Sequence, residues 1–239
     1  MAAETVKRII REDVKKDQLI DVADLLRSTR KLAGDHAGAM GLAGRSALRI
    51  AGFSAYEIQT KRLPELTQLQ GGIVIEGENF PGTELRSFQP ISRYGRVLFG
   101  KASIPDPGEL PTQNVTRANG AKVNVRHGTA EFLPGLAPPA PSEDVLYVLL
   151  LTCRDRNDPA KYQHVAIAAL EPDFSGFIFY ESLDGFIAGY GEVEAGASAP
   201  AAPAPASLGL ELKKGVAPFQ GSEAPGNASD ATGSDNKSP

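Results

Sequence analysis

Apolar residues recur at spacings of three and four through the first 33 residues of the chain, with charged residues between them. The apolar positions are Val6, Ile9, Ile10, Val14, Leu19, Val22, Ala23, Leu25 and Leu26. This spacing predicts an amphipathic helix over residues 4–33, or two shorter helices with a break near Lys16. Such a stripe is typical of a helix that docks on its own domain. A helix that binds a partner is the alternative interpretation.

Four glycines interrupt the pattern between residues 34 and 46. We expect a short helix to resume at Arg45 and to end at Gly52, because glycine suits the left-handed position after a helix. Ser54 and Glu57 have the spacing of a capping box, which predicts another helix from Ala55 that ends before Pro64. Residues 1–66 are therefore predicted to be a helical segment.

The composition changes to that of β-structure after Gly71 and Gly72. Three segments, 73–76, 96–99 and 122–125, have the composition of strands, and Asn119-Gly120 before the last of them is a turn signal. Prolines are frequent from 134 to 141 and predict a surface connector, with a possible subdomain boundary at 134–143.

The densest apolar runs of the chain follow, at 145–151, 164–170 and 177–180. The connectors between them are short, which favours antiparallel neighbours. Leu149-Leu150-Leu151 shows no alternation, so this strand is predicted to be central and covered on both faces. A short helix is predicted from Ser182 to Ala188. The fold class is thus α+β, with a helical N-terminal third and a mainly antiparallel sheet domain over residues 67–190.

Residues 191–239 are rich in Ala, Pro, Gly and Ser, and this composition predicts a disordered tail. A small apolar island interrupts the tail and is a candidate partner-binding motif. Its residues are Leu208, Leu210, Leu212 and Phe219. The alternative is that this island folds back on its own domain.

Charge and cysteine content narrow the classes of function. The net charge is −4, and the only cysteine, Cys153, excludes an internal disulfide and favours a reducing compartment. The N-terminus lacks the apolar region of a signal peptide, and no run approaches the ~18 apolar residues of a membrane span. We therefore expect a cytoplasmic protein that does not bind membranes. Histidines and the cysteine lack ligand spacing, so no metal or cofactor is predicted.

Basic residues are spread through the first third and form a candidate nucleic-acid-binding set. They are Arg27, Arg30, Lys31, Arg45, Arg49, Lys61 and Arg62. Residues 41–44, Gly-Leu-Ala-Gly, resemble the Gly-x-x-Gly loop of KH domains, which clamps a nucleic-acid backbone between two helices. That resemblance implies phosphate contacts from Arg45 and Arg49. The basic residue that KH loops carry between their glycines is absent here.

Cys153 and His164 form a possible nucleophile–base pair, because each is predicted near the end of a neighbouring strand. No flanking motif supplies an orienting group or an oxyanion site, so no catalytic residue is predicted. The sequence favours a non-enzymatic component that acts through protein–protein contacts or self-assembly. Nucleic-acid binding and an enzyme of unknown class are the alternatives.

Overall fold

The computed structural model of the protein describes residues 2–130, 132 and 137–191. Its helices are α1 (Ala2–Asp13), α2 (Lys16–Ala39), α3 (Gly44–Leu69), α4 (Val115–Val123) and α5 (Leu183–Ala188). Its strands are β1 (Ile73–Ile75), β2 (Ile91–Tyr94), β3 (Val97–Ile104), β4 (Leu146–Arg154), β5 (Tyr162–Leu170) and β6 (Phe177–Ser182). Short 3₁₀ turns, Asn124–Arg126 and Gly189–Gly191, follow α4 and α5. The α+β class is confirmed.

The six strands form one sheet in the order β1-β2-β3-β4-β5-β6. Every neighbouring pair is antiparallel except β3 and β4, which are parallel in the register Val97 to Leu146. A parallel pair needs a long crossover. The segment between β3 and β4 provides it and contains α4. The prediction of a mainly antiparallel sheet is confirmed.

Residues 122–125 were predicted to be a strand, and this prediction is wrong. They complete α4 and the 3₁₀ turn after it, and the predicted turn at Asn119-Gly120 also lies inside this helix. The Asn114 side chain begins the helix by accepting a hydrogen bond from the Arg117 N–H at 2.8 Å. Burial of Ala121 and Val123 against the sheet favours the helix over the strand composition of the segment.

Strand β4 lies inside the sheet, and its first eight residues are buried, as Leu149-Leu150-Leu151 indicated. Helices α1, α2 and α5 cover one face through a core that includes Ile10, Leu26 and Leu150. Helix α4 and the loop after β1 cover the other face. Residues on both sides of the predicted boundary at 66 therefore share one hydrophobic core.

Helices α2 and α3 are longer than predicted and form a hairpin. Helix α2 continues through Gly34 and Gly38, and α3 continues through Gly52 and Pro64, so the expected helix ends at these residues are wrong. Packing explains both results, since most helical stability in proteins comes from tertiary contacts. Leu63 and Leu66, on either side of Pro64, both pack against the core. Ser54 lies within α3 and does not cap a helix.

Helix α5 begins as predicted, with the Ser182 hydroxyl accepting from the Gly185 N–H at 3.1 Å. The prediction of a disordered tail and of a motif at 208–219 concerns residues outside the described part, apart from Gly191. The connector at 134–143 is described only from residue 137. None of the described helices combines the length and the apolar character needed to cross a membrane.

Candidate functional site

A cleft of about 330 Å³ lies between α3 and strands β2 and β3, with α2 along one wall. Its apolar lining comes from the helices, from the sheet and from the loop before β2. The residues are Val14, Leu19, Val22, Leu63, Pro64, Phe88, Pro90, Phe99 and Leu150. Its polar lining consists of Gln18, Tyr56, Gln59, Thr60, Thr67, Glu76, Gln89, Ser92, Tyr94 and Lys101. An apolar cavity with a few converging polar groups is the usual form of a small-molecule site.

Lys101 carries positive charge into this cleft from β3. Its Nζ donates to the Tyr56 carbonyl oxygen at 3.1 Å and lies 3.4 Å from both Gln59 Oε1 and Thr60 Oγ1. The same Nζ lies 4.2 Å from the centre of the Tyr56 ring, a cation–π contact. No carboxylate oxygen of the described residues lies within 4.0 Å of it.

Burial lowers the pKa of Lys101 to about 8, against the smaller effect of Glu57, which raises it. Removing an ammonium group from water disfavours its charged form, and neutral hydrogen-bond acceptors together with the charge of Glu57 offset this only in part. Lys101 still carries its charge at neutral pH. The cleft thus contains a half-buried cation that has no ion-pair partner among the described residues.

Gln59 lies beside Lys101 at one end of the cleft, and hydrogen bonds fix the orientation of its side chain. Its side chain is 2% exposed. Its Nε2 lies 2.8 Å from Tyr162 Oη, 2.9 Å from Thr29 Oγ1 and 3.2 Å from the Leu26 carbonyl oxygen. The amide nitrogen therefore faces α2 and β5, which directs Oε1 toward Lys101. This buried network links the cleft to α2 and β5.

The candidate nucleic-acid-binding residues lie at several separate places. Arg27 forms an ion pair with Asp184 and Lys31 with Asp35, and all four line a cavity beside β5. Arg30 is 1% exposed. The remaining four are exposed residues of α3: Arg45, Arg49, Lys61 and Arg62. The structure does not collect the set in one cavity, and nucleic-acid binding stays a prediction.

The loop that resembles a KH motif joins α2 to α3, so it does lie between two helices. Gly41 and Gly44 adopt positive φ angles of 71° and 54°, which other residues rarely tolerate. Their role is visible in the turn itself, where the Leu42 N–H donates to the Ala37 carbonyl oxygen at 3.2 Å. The geometry is sufficient to explain the two glycines without a ligand.

Cys153 and His164 are direct partners in the pairing of β4 with β5. The Cys153 thiol lies 3.4 Å from the Pro105 carbonyl oxygen, and burial raises its pKa, which disfavours the nucleophilic thiolate. His164 stacks on the Tyr180 ring with the ring centres 6.0 Å apart, and its buried Nε2 has no hydrogen-bond partner among the residues that the structure describes. The two side chains are neighbours, but the imidazole Nε2 does not bond the thiol.

Within the described part of the chain, no group of three or more His, Cys, Asp or Glu residues is placed to hold a metal ion. Comparison with known proteins adds no relative, because no family model, curated protein or solved structure matches this chain.

Sequence reasoning missed Lys101, Tyr56 and Gln59. The strand containing Lys101 was predicted to end at Phe99, whereas it continues to Ile104. A signal was present, since Lys101 interrupts an otherwise apolar and small-residue run from Val97 to Ile104. A single charged residue inside such a run is a candidate for a buried functional group.

Proposed function

We propose that the protein is a non-enzymatic binding protein whose cleft takes a small organic anion with an apolar body. The observation that supports this function best is Lys101 at one end of the cleft, a cation that no carboxylate of the described residues pairs with. Charged groups held away from water are expensive unless they are paired. A ligand carboxylate or sulfonate would supply the missing partner of Lys101.

The rest of the cleft suits the apolar part of such a ligand. Leu19, Val22, Leu63, Phe99 and Leu150 present aliphatic and aromatic surface around the cavity. The volume of about 330 Å³ lies near the lower end of the range for small-molecule sites, which favours a compact ligand. Glu76 also lines the cleft, so a second anionic group on the ligand would be disfavoured.

Octanoate and 1-octanol test the charged group and the apolar body of the proposed ligand separately, because they share an alkyl chain and differ in charge. Calorimetric titration at pH 7 should detect octanoate binding that weakens at least about tenfold in Lys101→Met, since a hydrogen bond to a charged group contributes about 1.5–3 kcal/mol. Octanol binding should change less than about twofold, because it depends on the apolar surface that remains.

Lys61→Met is the matched control, because Lys61 is an exposed lysine of α3 that does not line the cleft. It should bind octanoate as the unaltered protein does. Octanoate binding that Lys101→Met leaves unchanged, or a lack of binding by both probes, would contradict the proposed function.

A second candidate function, protein–protein contact, is favoured by the tip of the α2–α3 hairpin. Met40 and Phe53 are 55% and 66% exposed there, and with Leu42 and Ile50 they line a shallow groove. Arg49 also lines the groove, and no carboxylate oxygen of the described residues pairs with it within 4.0 Å. This surface suits a protein segment that has an apolar face bordered by carboxylates.

Selection from a displayed peptide library tests this second function. We expect enrichment of peptides that combine apolar residues with Asp or Glu, and at least tenfold weaker binding to Phe53→Ser or Arg49→Glu. Phe53→Ser should change the free energy of unfolding by less than about 0.5 kcal/mol, because this side chain is exposed. Selected peptides that bind both variants unchanged would exclude the tip as their site. Light scattering that shows a dimer lost in Phe53→Ser would instead identify a second copy as the occupant.

A further inference from the structure

Two arginines lie close together at the other end of the network that runs from Lys101 through Gln59 and Tyr162. Arg30 from α2 is 1% exposed, and its Cζ lies 5.5 Å from the centre of the Tyr162 ring. Arg154 lies at the end of β4 and is exposed. Both approach Gly52 of α3: where a β-carbon of that residue would stand, Arg154 Nη1 is 3.1 Å away and Arg30 Nη1 is 3.8 Å away.

Among the described residues, neither guanidinium has a partner that balances its charge. No carboxylate oxygen of these residues lies within 4.0 Å of either group. Arg30 Nε donates a long bond, 3.4 Å, to the Lys161 carbonyl oxygen, and within the described part of the chain its buried Nη2 has no hydrogen-bond partner. Two like charges this close to one point repel each other, so an anion between them would remove an unfavourable interaction.

The nearest acidic residues are already engaged in the loop after β4. The Asp155 carboxylate accepts from the N–H groups of Asn157 and Asp158 at 2.7 and 3.0 Å. Asp158 forms an ion pair with Lys161 at 2.8 Å. Both carboxylates attract Arg30 from a distance without pairing with it. They reduce the positive potential at this point and leave the guanidinium donors free.

The structure assigns Arg30 and Arg154, which lie beside Gly52 of α3, as a binding site for a tetrahedral oxyanion of the phosphate type. Guanidinium groups present donors in a planar fork that matches phosphate oxygens, and two of them can contact different oxygens of one ion. A cavity of about 320 Å³ gives access from solvent to the Arg154 side, and its charged lining consists of Arg154, Arg156 and Asp155. The site is separate from the cleft and does not depend on its function.

Thermal unfolding with inorganic phosphate tests the assignment, with sodium chloride at matched ionic strength as the reference. The melting temperature should rise by about 3 °C or more once phosphate reaches ten times its Kd. Glycerol phosphate should act in the same way if a phosphate ester is the biological ligand. A shift with inorganic phosphate alone would identify the free ion.

Arg154→Gln should abolish the phosphate-dependent shift, while Arg62→Gln should retain it. Arg62 is a suitable control because it is an exposed arginine of α3 that pairs with Glu65 and does not line this cavity. Gly52→Ala sharpens the test, since its β-carbon would stand 3.1 Å from Arg154 Nη1 and shift that guanidinium by a few tenths of an ångström while both arginines remain. It should weaken phosphate binding, measured by ³¹P line broadening, without lowering the melting temperature of the phosphate-free protein.

Equal phosphate shifts in Arg154→Gln and in the unaltered protein would overturn the assignment. So would the absence of any shift beyond that of sodium chloride. Because Lys101 does not enter these measurements, failure here leaves the octanoate experiment unaffected.

Discussion

The two halves of the α2–α3 hairpin differ in how they pack. The proximal half, residues 16–32 and 55–69, contributes large side chains such as Leu19, Leu26 and Leu63 to the core on the sheet. The distal half, residues 33–54, is held mainly by a separate cluster of small residues. These are Ala33, Ala37, Ala47 and Ala51, with Ala55 at its boundary. One pair of helices thus combines two kinds of interface.

Large side chains bury more apolar area, and the stabilisation of the fold increases in proportion to that area. Alanines allow the helix backbones to approach closely but bury little area. The difference indicates that the proximal half holds the fold together and shapes the cleft. The distal half leaves Met40 and Phe53 exposed at the tip. Stability and exposed binding surface therefore lie at opposite ends of the same helices.

The largest effect should come from a cavity in the proximal half. Leu26 is fully buried, and Leu26→Ala should lower the free energy of unfolding by about 2–5 kcal/mol. Leu32→Ala is the matched control on the same helix, because Leu32 is 59% exposed. Urea denaturation of both variants measures the difference. A loss below 1 kcal/mol at Leu26 would show that the proximal half does not hold the fold.

Two glycines of α2, one turn apart, should respond to alanine with opposite signs. A β-carbon on Gly34 would collide with the backbone of Ala160, so Gly34→Ala should destabilise by about 1–3 kcal/mol. Gly38 has open space around it, so Gly38→Ala should stabilise by up to about 1 kcal/mol through helix propensity. Thermal melts of the two variants decide this, and two changes of the same sign would contradict the contact at Ala160.

The remaining effect depends on pH and concerns Lys101, beneath the proximal part of α3. Its pKa falls from 10.5 to about 8 on folding, so the unfolded chain binds more protons between these values. Stability should therefore rise with pH from about 8 to 10, by no more than about 1.4 kcal/mol per pH unit. Lys101→Met should remove this rise and be the more stable variant below pH 8.

Three buried or half-buried tyrosines act in the opposite direction at higher pH. Burial raises the pKa of Tyr94, Tyr162 and Tyr190, so the folded protein keeps these protons longer and loses stability as pH increases further. These residues are present in both proteins, and the difference between the two urea-denaturation profiles isolates Lys101. Parallel profiles from pH 7 to 10 would show that Lys101 is solvated.

Local pattern was sufficient for several elements. The apolar stripe indicated α1 and α2, and the uninterrupted run at Leu149-Leu150-Leu151 indicated a central strand. Ser182 marked the start of α5, because a capping hydroxyl acts on an N–H only three residues away. Each of these features depends on residues that are close in the sequence or on the burial of an apolar segment, which the amino-acid composition of that segment indicates directly.

Tertiary structure alone decided the length of the hairpin helices and the make-up of both proposed sites. Gly34 and Gly52 look like helix ends in the sequence. In the structure the Ala160 backbone occupies the place of a β-carbon at Gly34, and Arg154 Nη1 lies 3.1 Å from that place at Gly52. Lys101 contacts Tyr56 and Gln59, which lie more than 40 residues away in the sequence. Arg30 and Arg154, which both lie beside Gly52, are separated by about half of the chain. Charges this distant in sequence become neighbours only through the order of strands, which no local spacing encodes.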